Sequence, residues 1–251
     1  ELREALARFK KGTDKWILAY GDEFSQGDYY VASAADTVYL NPMGTLDIHG
    51  LSSSVPYFKD ALDKLDVNIQ VFKVGTYKSA VEPFLLNSMS EPARMQTQLF
   101  LDSIWAGISE GIGMSRKIPT ADVCALADSL TMSRSAQWCL NHKLIDKIAY
   151  RRQAEDVLCA LTETEDPKDL ELVSPAEYMS DYATATLATA DDTHIAVVFA
   201  DGDITENGDK GIVASSLVPE ILSLAKDDKI VGMVLRVNSG GGSAFASEQI
   251  W

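Results

Sequence analysis

The chain has 251 residues, of which 46% are apolar and 24% are charged, proportions that are ordinary for a folded α/β protein. Its 37 acidic against 22 basic residues leave a net charge of −15, which argues against nucleic acid as a partner because phosphate binding needs clustered Lys and Arg. Three widely spaced cysteines without a CxxC pair and only three histidines argue against a metal centre, so neither a metal nor a cofactor is expected.

The first part of the chain, residues 1–161, alternates short apolar runs with amphipathic segments. Residues 16–20, 37–40 and 68–74 are short enough to be strands, and polar stretches at 21–27 and 41–44 are typical of a loop and a turn. Apolar residues at helical spacing predict helices at residues 1–11, 28–35, 57–65, 91–112, 119–126, 133–140 and 151–161. This alternation indicates an α/β fold with parallel sheets covered by helices.

Residues 162–193 differ from the rest of the chain in composition. They are rich in Asp, Glu, Thr, Ser and Ala, contain two prolines and lack a sustained apolar period, which predicts a linker between two domains. The chain then resumes at residues 194–251 with strands predicted at 194–200 and 229–237 and a helix at 213–226. We expect a βαβ unit that ends in a glycine-rich loop.

The glycine-rich loop at residues 238–243 (NSGGGS) lies between a buried strand and a helix that begins near Ser243. Its chemistry suits a phosphate site, an oxyanion hole, or a loop that presents Ser243 as a nucleophile. It matches neither the Walker A loop nor the GxGxxG fingerprint. A tight turn with Ser243 as helix N-cap is the simpler alternative.

Two other segments carry candidate catalytic residues. In residues 74–84 (VGTYKSAVEPF), a predicted strand delivers Lys78 into a loop, where it could serve as the base of a Ser–Lys pair or be an ordinary solvated lysine. Ser25 lies between glycines in a strand–loop–helix setting that could expose its hydroxyl, but a turn serine is the simpler interpretation.

Three of these segments together resemble the long, double-domain form of the signal peptide peptidase A (protease IV) family, peptidase family S49. Residues 74–84 resemble the lysine motif of its first domain, and residues 24–50 are similar to the segment before that motif. Residues 235–248 (LRVNSGGGSAFASE) resemble the LRVNSPGGS segment of its second domain. The resemblance implies a ClpP/crotonase-like fold repeated in tandem, with both repeats incomplete in this chain.

The resemblance also implies site residues and a serine protease chemistry. Lys78 would be the general base of a Ser–Lys dyad, and Gly241 with Gly242 would supply the oxyanion-hole N–H groups. The nucleophile is expected beyond Trp251, so the fragment itself is expected to be inactive and Ser243 is not the attacking serine. Gly240 stands where the family has proline, which leaves the loop less preorganised.

The expected substrates are cleaved signal peptides, and the expected setting is the bacterial cell envelope, with the catalytic part outside the cytoplasm. The resemblance implies a homo-oligomer. No apolar run reaches the roughly 18 residues that span a bilayer, so a membrane anchor would come from a segment absent from this chain. A crotonase-type acyl-CoA enzyme and a non-catalytic member that binds peptides or assembles are the alternatives.

Overall fold

A computed structural model of the protein describes residues 2–178 and 193–251. The chain divides into two compact units, Glu1–Leu170 (unit 1) and Glu171–Trp251 (unit 2). Of the linker predicted at residues 162–193, residues 179–192 lie outside the described part of the chain. The predicted limits of the two protease-like domains stay a prediction.

Unit 1 contains a parallel sheet in the order β1–β2–β3. Its strands are β1 Leu18–Phe24, β2 Thr37–Leu46 and β3 Lys147–Ile148. The first two confirm the strands predicted at 16–20 and 37–40, but both continue into the predicted loop and turn. Gly21 pairs with Leu40 whereas Glu23 pairs with Thr45, so residues 41–44 form a bulge within β2.

Unit 1 also contains eight described α-helices, and each helix predicted in the first part of the chain is confirmed. They are α1 Leu2–Gly12, α2 Gln26–Ala32, α3 Lys59–Lys64, α4 Glu82–Leu85, α5 Glu91–Arg116, α6 Thr120–Ala127, α7 Ala136–Asn141 and α8 Arg151–Thr162. The four-residue α4 was not predicted, because one turn is too short to show a helical period. No helix in the described part of the chain has the length and apolar character needed to cross a membrane.

The core of unit 1 lies between the sheet and helices α2, α5, α6 and α7. Its fully buried side chains come from all of these elements: Tyr29, Val38, Leu40, Leu46, Ile48, Ile112, Val123, Cys139, Leu144 and Ile145. The Tyr29 hydroxyl donates a hydrogen bond of 2.7 Å to the Leu144 carbonyl, which satisfies the one polar group of this ring inside the core.

The strand predicted at residues 68–74 is wrong. These residues have no regular secondary structure, and the side chains of Phe72 and Val74 are 98% and 91% exposed. A strand needs a neighbour to pair its backbone N–H and C=O groups, and none of the described strands lies alongside this segment. The short apolar run is therefore a loop that leads to Lys78.

Unit 2 is built on two parallel strands joined through a helix, which confirms the predicted βαβ unit. Its elements are β4 His194–Asp201, β5 Ile204–Thr205, β6 Ile212–Val213, α9 Ala214–Leu224, β7 Ile230–Asn238 and α10 Ala244–Ile250. The short parallel pair of β5 and β6 was not predicted, because it lies within a stretch of Asp, Asn and Gly residues.

The two faces of the β4–β7 sheet differ in burial. Val198 and Ala200 on one face pack with Leu217 of α9 in the small core of unit 2. Val197 and Phe199 on the other face are exposed by 52% and 63%. Described residues of the unit cover the first face only at β4, because Leu235 and Val237, the β7 partners of Val198 and Ala200, are exposed by 40% and 60%.

Candidate functional site

The glycine-rich loop connects the end of β7 with the beginning of α10. Gly241 has φ +111°, a backbone conformation that side chains rarely adopt, so glycine is required at this position. The Gly241 N–H donates a hydrogen bond of 3.1 Å to the Ser239 hydroxyl within the loop. Gly240 has no atom within 4 Å of the position that a Cβ would take. Steric crowding therefore does not explain why glycine stands where the resemblance implies a proline.

Strand β5 holds this loop from the side. The Ile204 N–H donates to the Gly241 carbonyl at 3.0 Å, and the Ile204 carbonyl accepts from the Ser243 N–H at 2.8 Å. The two bonds form a parallel bridge between Ile204 and Gly242. A Cβ at Gly242 would lie 2.1 Å from the Ile204 carbonyl oxygen, so only glycine permits the contact.

Ser243 is the N-cap of α10, as the simpler interpretation of the loop predicts. Its hydroxyl accepts a hydrogen bond of 3.2 Å from the Ala246 N–H. The same hydroxyl lies 3.3 Å from a carboxylate oxygen of Glu206, to which it donates. Ser243 is therefore engaged in holding the loop and the helix, and sequence reasoning missed both Ile204 and Glu206 as its supports.

The loop can supply backbone N–H groups to a developing negative charge. The Gly242 N–H makes no hydrogen bond to the residues that the structure describes, and the Gly241 N–H is bonded to the Ser239 hydroxyl. An oxyanion hole needs such donors held in place before the reaction. Gly242 could donate directly, whereas Gly241 could donate only when the Ser239 hydroxyl moves aside.

Lys78 lies in a loop of unit 1 that precedes α4. Its side chain is exposed, its N–H donates to the Gly75 carbonyl at 3.4 Å, and its carbonyl accepts from the Lys73 ammonium at 3.3 Å. The neighbouring Tyr77 is 52% exposed. The expectation that a buried strand delivers this lysine is wrong, because residues 68–74 form no strand.

The segment just after Lys78 is anchored more firmly than the lysine itself. Glu82 is buried, and its carboxylate accepts hydrogen bonds from the Ser90 hydroxyl at 2.6 Å and the Ser90 N–H at 3.1 Å. These bonds, with a smaller contribution from the charge of Lys73, lower the pKa of Glu82. Phe84 stacks on Phe58 with ring centroids 6.2 Å apart.

Ser25 is the N-cap of α2. Its hydroxyl accepts from the Asp28 N–H at 3.2 Å and lies 2.6 Å from the Asp28 carboxylate, which in turn accepts from the Ser25 N–H at 3.3 Å. This reciprocal arrangement is a capping box and confirms the interpretation of Ser25 as a turn serine.

The site residues predicted from the sequence are distributed over both units. Gly241 and Gly242 lie together in unit 2, and Lys78 belongs to unit 1. Among the described residues, no group of three or more His, Cys, Asp or Glu side chains is arranged to hold a metal ion.

Comparison with known proteins finds relatives that align with nearly the whole chain. The model of peptidase family S49 matches residues 9–165. Protease 4 of Haemophilus influenzae is 37% identical in an alignment that covers 98% of this chain and 41% of that protein. Protease 4 of Salmonella typhi is 36% identical over 98% of this chain and 40% of that protein.

A plant protein is also similar to the chain. The chloroplastic serine protease SPPA of Arabidopsis thaliana is 24% identical over 100% of this chain and 38% of that protein. The chain therefore spans about two fifths of the length of these relatives. The family match includes Lys78, and the alignments with the relatives reach into the region of the glycine-rich loop.

Proposed function

Because the chain belongs to peptidase family S49, we propose that it is part of a serine endopeptidase that uses a Ser–Lys dyad. The observation that carries this proposal is the glycine loop of unit 2. β5 and Gly242 approach each other so closely that no side chain fits, and the loop carries a backbone N–H without a partner among the described residues. Such a loop suits the stabilisation of an oxyanion.

In the proposed reaction, the Lys78 amine removes the proton from a serine hydroxyl as the serine oxygen attacks the peptide carbonyl. The carbonyl oxygen gains negative charge, and the Gly242 N–H donates a hydrogen bond to it, joined by the Gly241 N–H once the Ser239 hydroxyl has moved aside. The protonated lysine then gives its proton to the leaving amine, and water releases the acyl group by the same steps.

We place the nucleophile after Trp251, which makes residues 1–251 inactive by themselves. The length of the relatives supports this, since about three fifths of each lies outside the alignment with this chain. The roles of Ser25 and Ser243 as helix N-caps support it too, because both hydroxyls are engaged in holding helix ends.

The exposure of Lys78 places a condition on this mechanism. A lysine amine becomes a base near neutral pH when burial makes its charged form costly. Lys78 is exposed in the described structure, so the mechanism requires that another part of the enzyme or a second copy covers it. A homo-oligomer that completes the site would meet this condition.

For the substrate and the setting, we propose cleaved signal peptides in the bacterial cell envelope, with a membrane anchor supplied outside this chain. The similarity to Protease 4 of two bacteria supports a bacterial peptidase. Of the alternatives, a crotonase-type acyl-CoA enzyme gains no support from the family match.

The test is hydrolysis of an apolar, signal-like peptide by the full-length enzyme and its Lys78→Ala variant. General-base catalysis contributes roughly 10²–10⁴-fold, so a loss of that size is expected. Lys64→Ala is the matched control, since Lys64 is an exposed lysine at the end of α3. Full activity of a folded Lys78→Ala enzyme would exclude the lysine from catalysis and refute the proposed mechanism.

A further inference from the structure

Glu206 lies where three elements of unit 2 meet. It directly follows β5, and its carbonyl accepts a hydrogen bond of 3.2 Å from the Ser215 N–H in the first turn of α9. Its carboxylate accepts from the Ser243 hydroxyl at 3.3 Å, a contact between residues far apart in the sequence. Glu206 thus joins β5, α9 and the glycine loop.

Two residues, Ile204 and Glu206, hold the glycine loop at consecutive positions. Ile204 binds the backbone on both sides of Gly242, and Glu206 binds the side chain of Ser243, the next residue. The hydroxyl of Ser243 has one proton to donate and lone pairs to accept with. It donates to Glu206 and accepts from the Ala246 N–H, so both capacities are used.

An oxyanion donor must be held in place, because an N–H that has to reorient during the reaction loses much of its effect. Gly240, Gly241 and Gly242 place no Cβ restraint on their own dihedral angles. The orientation of the Gly242 N–H therefore depends on contacts that hold its neighbours, one from the Ser239 hydroxyl within the loop and the others from outside it. Ile204 provides the backbone contacts, and Glu206 provides the side-chain contact.

We propose that Glu206 is a positioning residue for the oxyanion loop and acts through Ser243. This inference rests on the proposed peptidase function. Glu206 serves as a hydrogen-bond acceptor, and its negative charge is not required. A carboxylate near a developing oxyanion would oppose the reaction by charge repulsion, so a neutral acceptor of the same shape should serve at least as well.

The test compares three variants at Glu206 in the full-length enzyme. Glu206→Ala removes the acceptor, and we expect kcat to fall on the order of tenfold with KM changed by less than about threefold, a smaller loss than removal of a donor itself causes. Glu206→Gln keeps an acceptor and should retain activity within about threefold of the unchanged enzyme. Glu220→Ala, an exposed acid on α9, is the matched control.

Two further measurements separate positioning from a merely structural role. The affinity for a peptide aldehyde, which forms a tetrahedral adduct with an oxyanion, should fall in parallel with kcat/KM in Glu206→Ala. The double variant Glu206→Ala/Ser243→Ala should lose no more kcat than the stronger single variant, because both act through one contact. If Glu206→Ala does not fold, Glu206→Asp, which draws the carboxylate back, takes its place with the same expectation.

The outcomes distinguish this inference from the function on which it rests. Unchanged kcat in folded Glu206→Ala, or in its Asp replacement, would overturn the positioning role. A Glu206→Gln enzyme as slow as Glu206→Ala would also overturn it, since the charge would then be what matters. If Lys78→Ala is fully active, the proposed mechanism fails whatever Glu206 does. If Lys78→Ala is inactive and Glu206→Ala is normal, only the positioning role fails.

Discussion

Asp146 connects the sheet of unit 1 to the end of α5. Its carboxylate accepts from the Val38 N–H at 2.7 Å and from both terminal nitrogens of Arg116 at 2.8 and 2.9 Å. Partial burial by itself would raise the pKa of Asp146, but these hydrogen bonds and the charge of Arg116 outweigh it and lower the pKa overall. Single residues of this kind stabilise the fold that carries Lys78.

The lowered pKa of Asp146 predicts a pH-dependent stability. A carboxyl whose folded pKa lies below its unfolded value, about 3.9, stabilises the protein above that value and ceases to do so as pH falls through the folded pKa. Asp146→Asn should therefore unfold about 1–2 kcal/mol more easily at pH 7, a figure reduced for the partial exposure of the pair. As pH falls from neutral into the acid range, through the unfolded and then the lower folded pKa, the difference should shrink.

Urea denaturation across that pH range would measure the effect. The readout is the difference between the variant and the unchanged chain, since other carboxyls such as Asp36 also have lowered pKa values. Asp156→Asn removes an exposed ion pair with Arg152 and should change stability by less than about 0.5 kcal/mol. A constant difference between Asp146→Asn and the unchanged chain at all pH values would contradict the assignment.

At the scale of elements, the long helix α5 depends on its N-terminal cap. Ser90 accepts from the Ala93 N–H at 3.3 Å, and the carboxylate of Glu82 binds both the hydroxyl and the N–H of Ser90. The first half of the helix exposes large apolar residues, with Leu99 and Phe100 at 68% and 63%. Few buried contacts stabilise this half, so the cap matters more than it would in a fully packed helix.

Removal of this cap should loosen the beginning of α5. Ser90→Ala should cost about 1 kcal/mol, and Glu82→Gln should cost part of that because a neutral amide binds the Ser90 N–H more weakly. Hydrogen exchange resolved by segment should show faster exchange in the first turns of α5. Glu110→Gln, an exposed change in the second half of the same helix, is the control. Unchanged exchange in Ser90→Ala would show that tertiary contacts alone hold the helix end.

At the scale of the whole molecule, the two units differ in the size of their cores. Unit 1 has one large cluster of buried apolar residues between its sheet and its helices. Among the described residues, the cluster of unit 2 has Val198, Ala200, Ile212 and Leu217 as its buried members. Stability depends on the apolar area that folding removes from water. The larger buried cluster of unit 1 therefore stabilises its unit far more than the cluster of unit 2 does.

This difference predicts how the units behave when produced separately. Residues 1–170 should unfold in one cooperative thermal transition, because their buried cluster is contained within unit 1. Residues 171–251 should show no cooperative transition, since their core is small and one face of their sheet is exposed. Circular dichroism of both fragments measures this, with residues 1–251 as the reference. A cooperative transition in residues 171–251 would show that their small core suffices.

The sequence by itself determined the family, the α/β class, most of the helices and the βαβ unit of unit 2. These features rest on local periodicity and on short motifs, which can be recognised within a short stretch of sequence. The N-cap roles of Ser25 and Ser243 could be predicted for the same reason, because capping depends on residues within one helical turn. The roles of Lys78, Gly241 and Gly242 were inferred from the resemblance and stay predictions.

Only the tertiary structure decided the features that depend on a distant partner. The run at 68–74 looked like a strand but has no neighbour to pair with, and residues 41–44 looked like a turn but bulge from a strand held by β1. The contact from Glu206 to the glycine loop joins segments separated by one helix and two strands. Hydrogen bonding and packing between such segments require that residues far apart in the sequence lie close together in the fold. The local sequence does not show which distant residues these are.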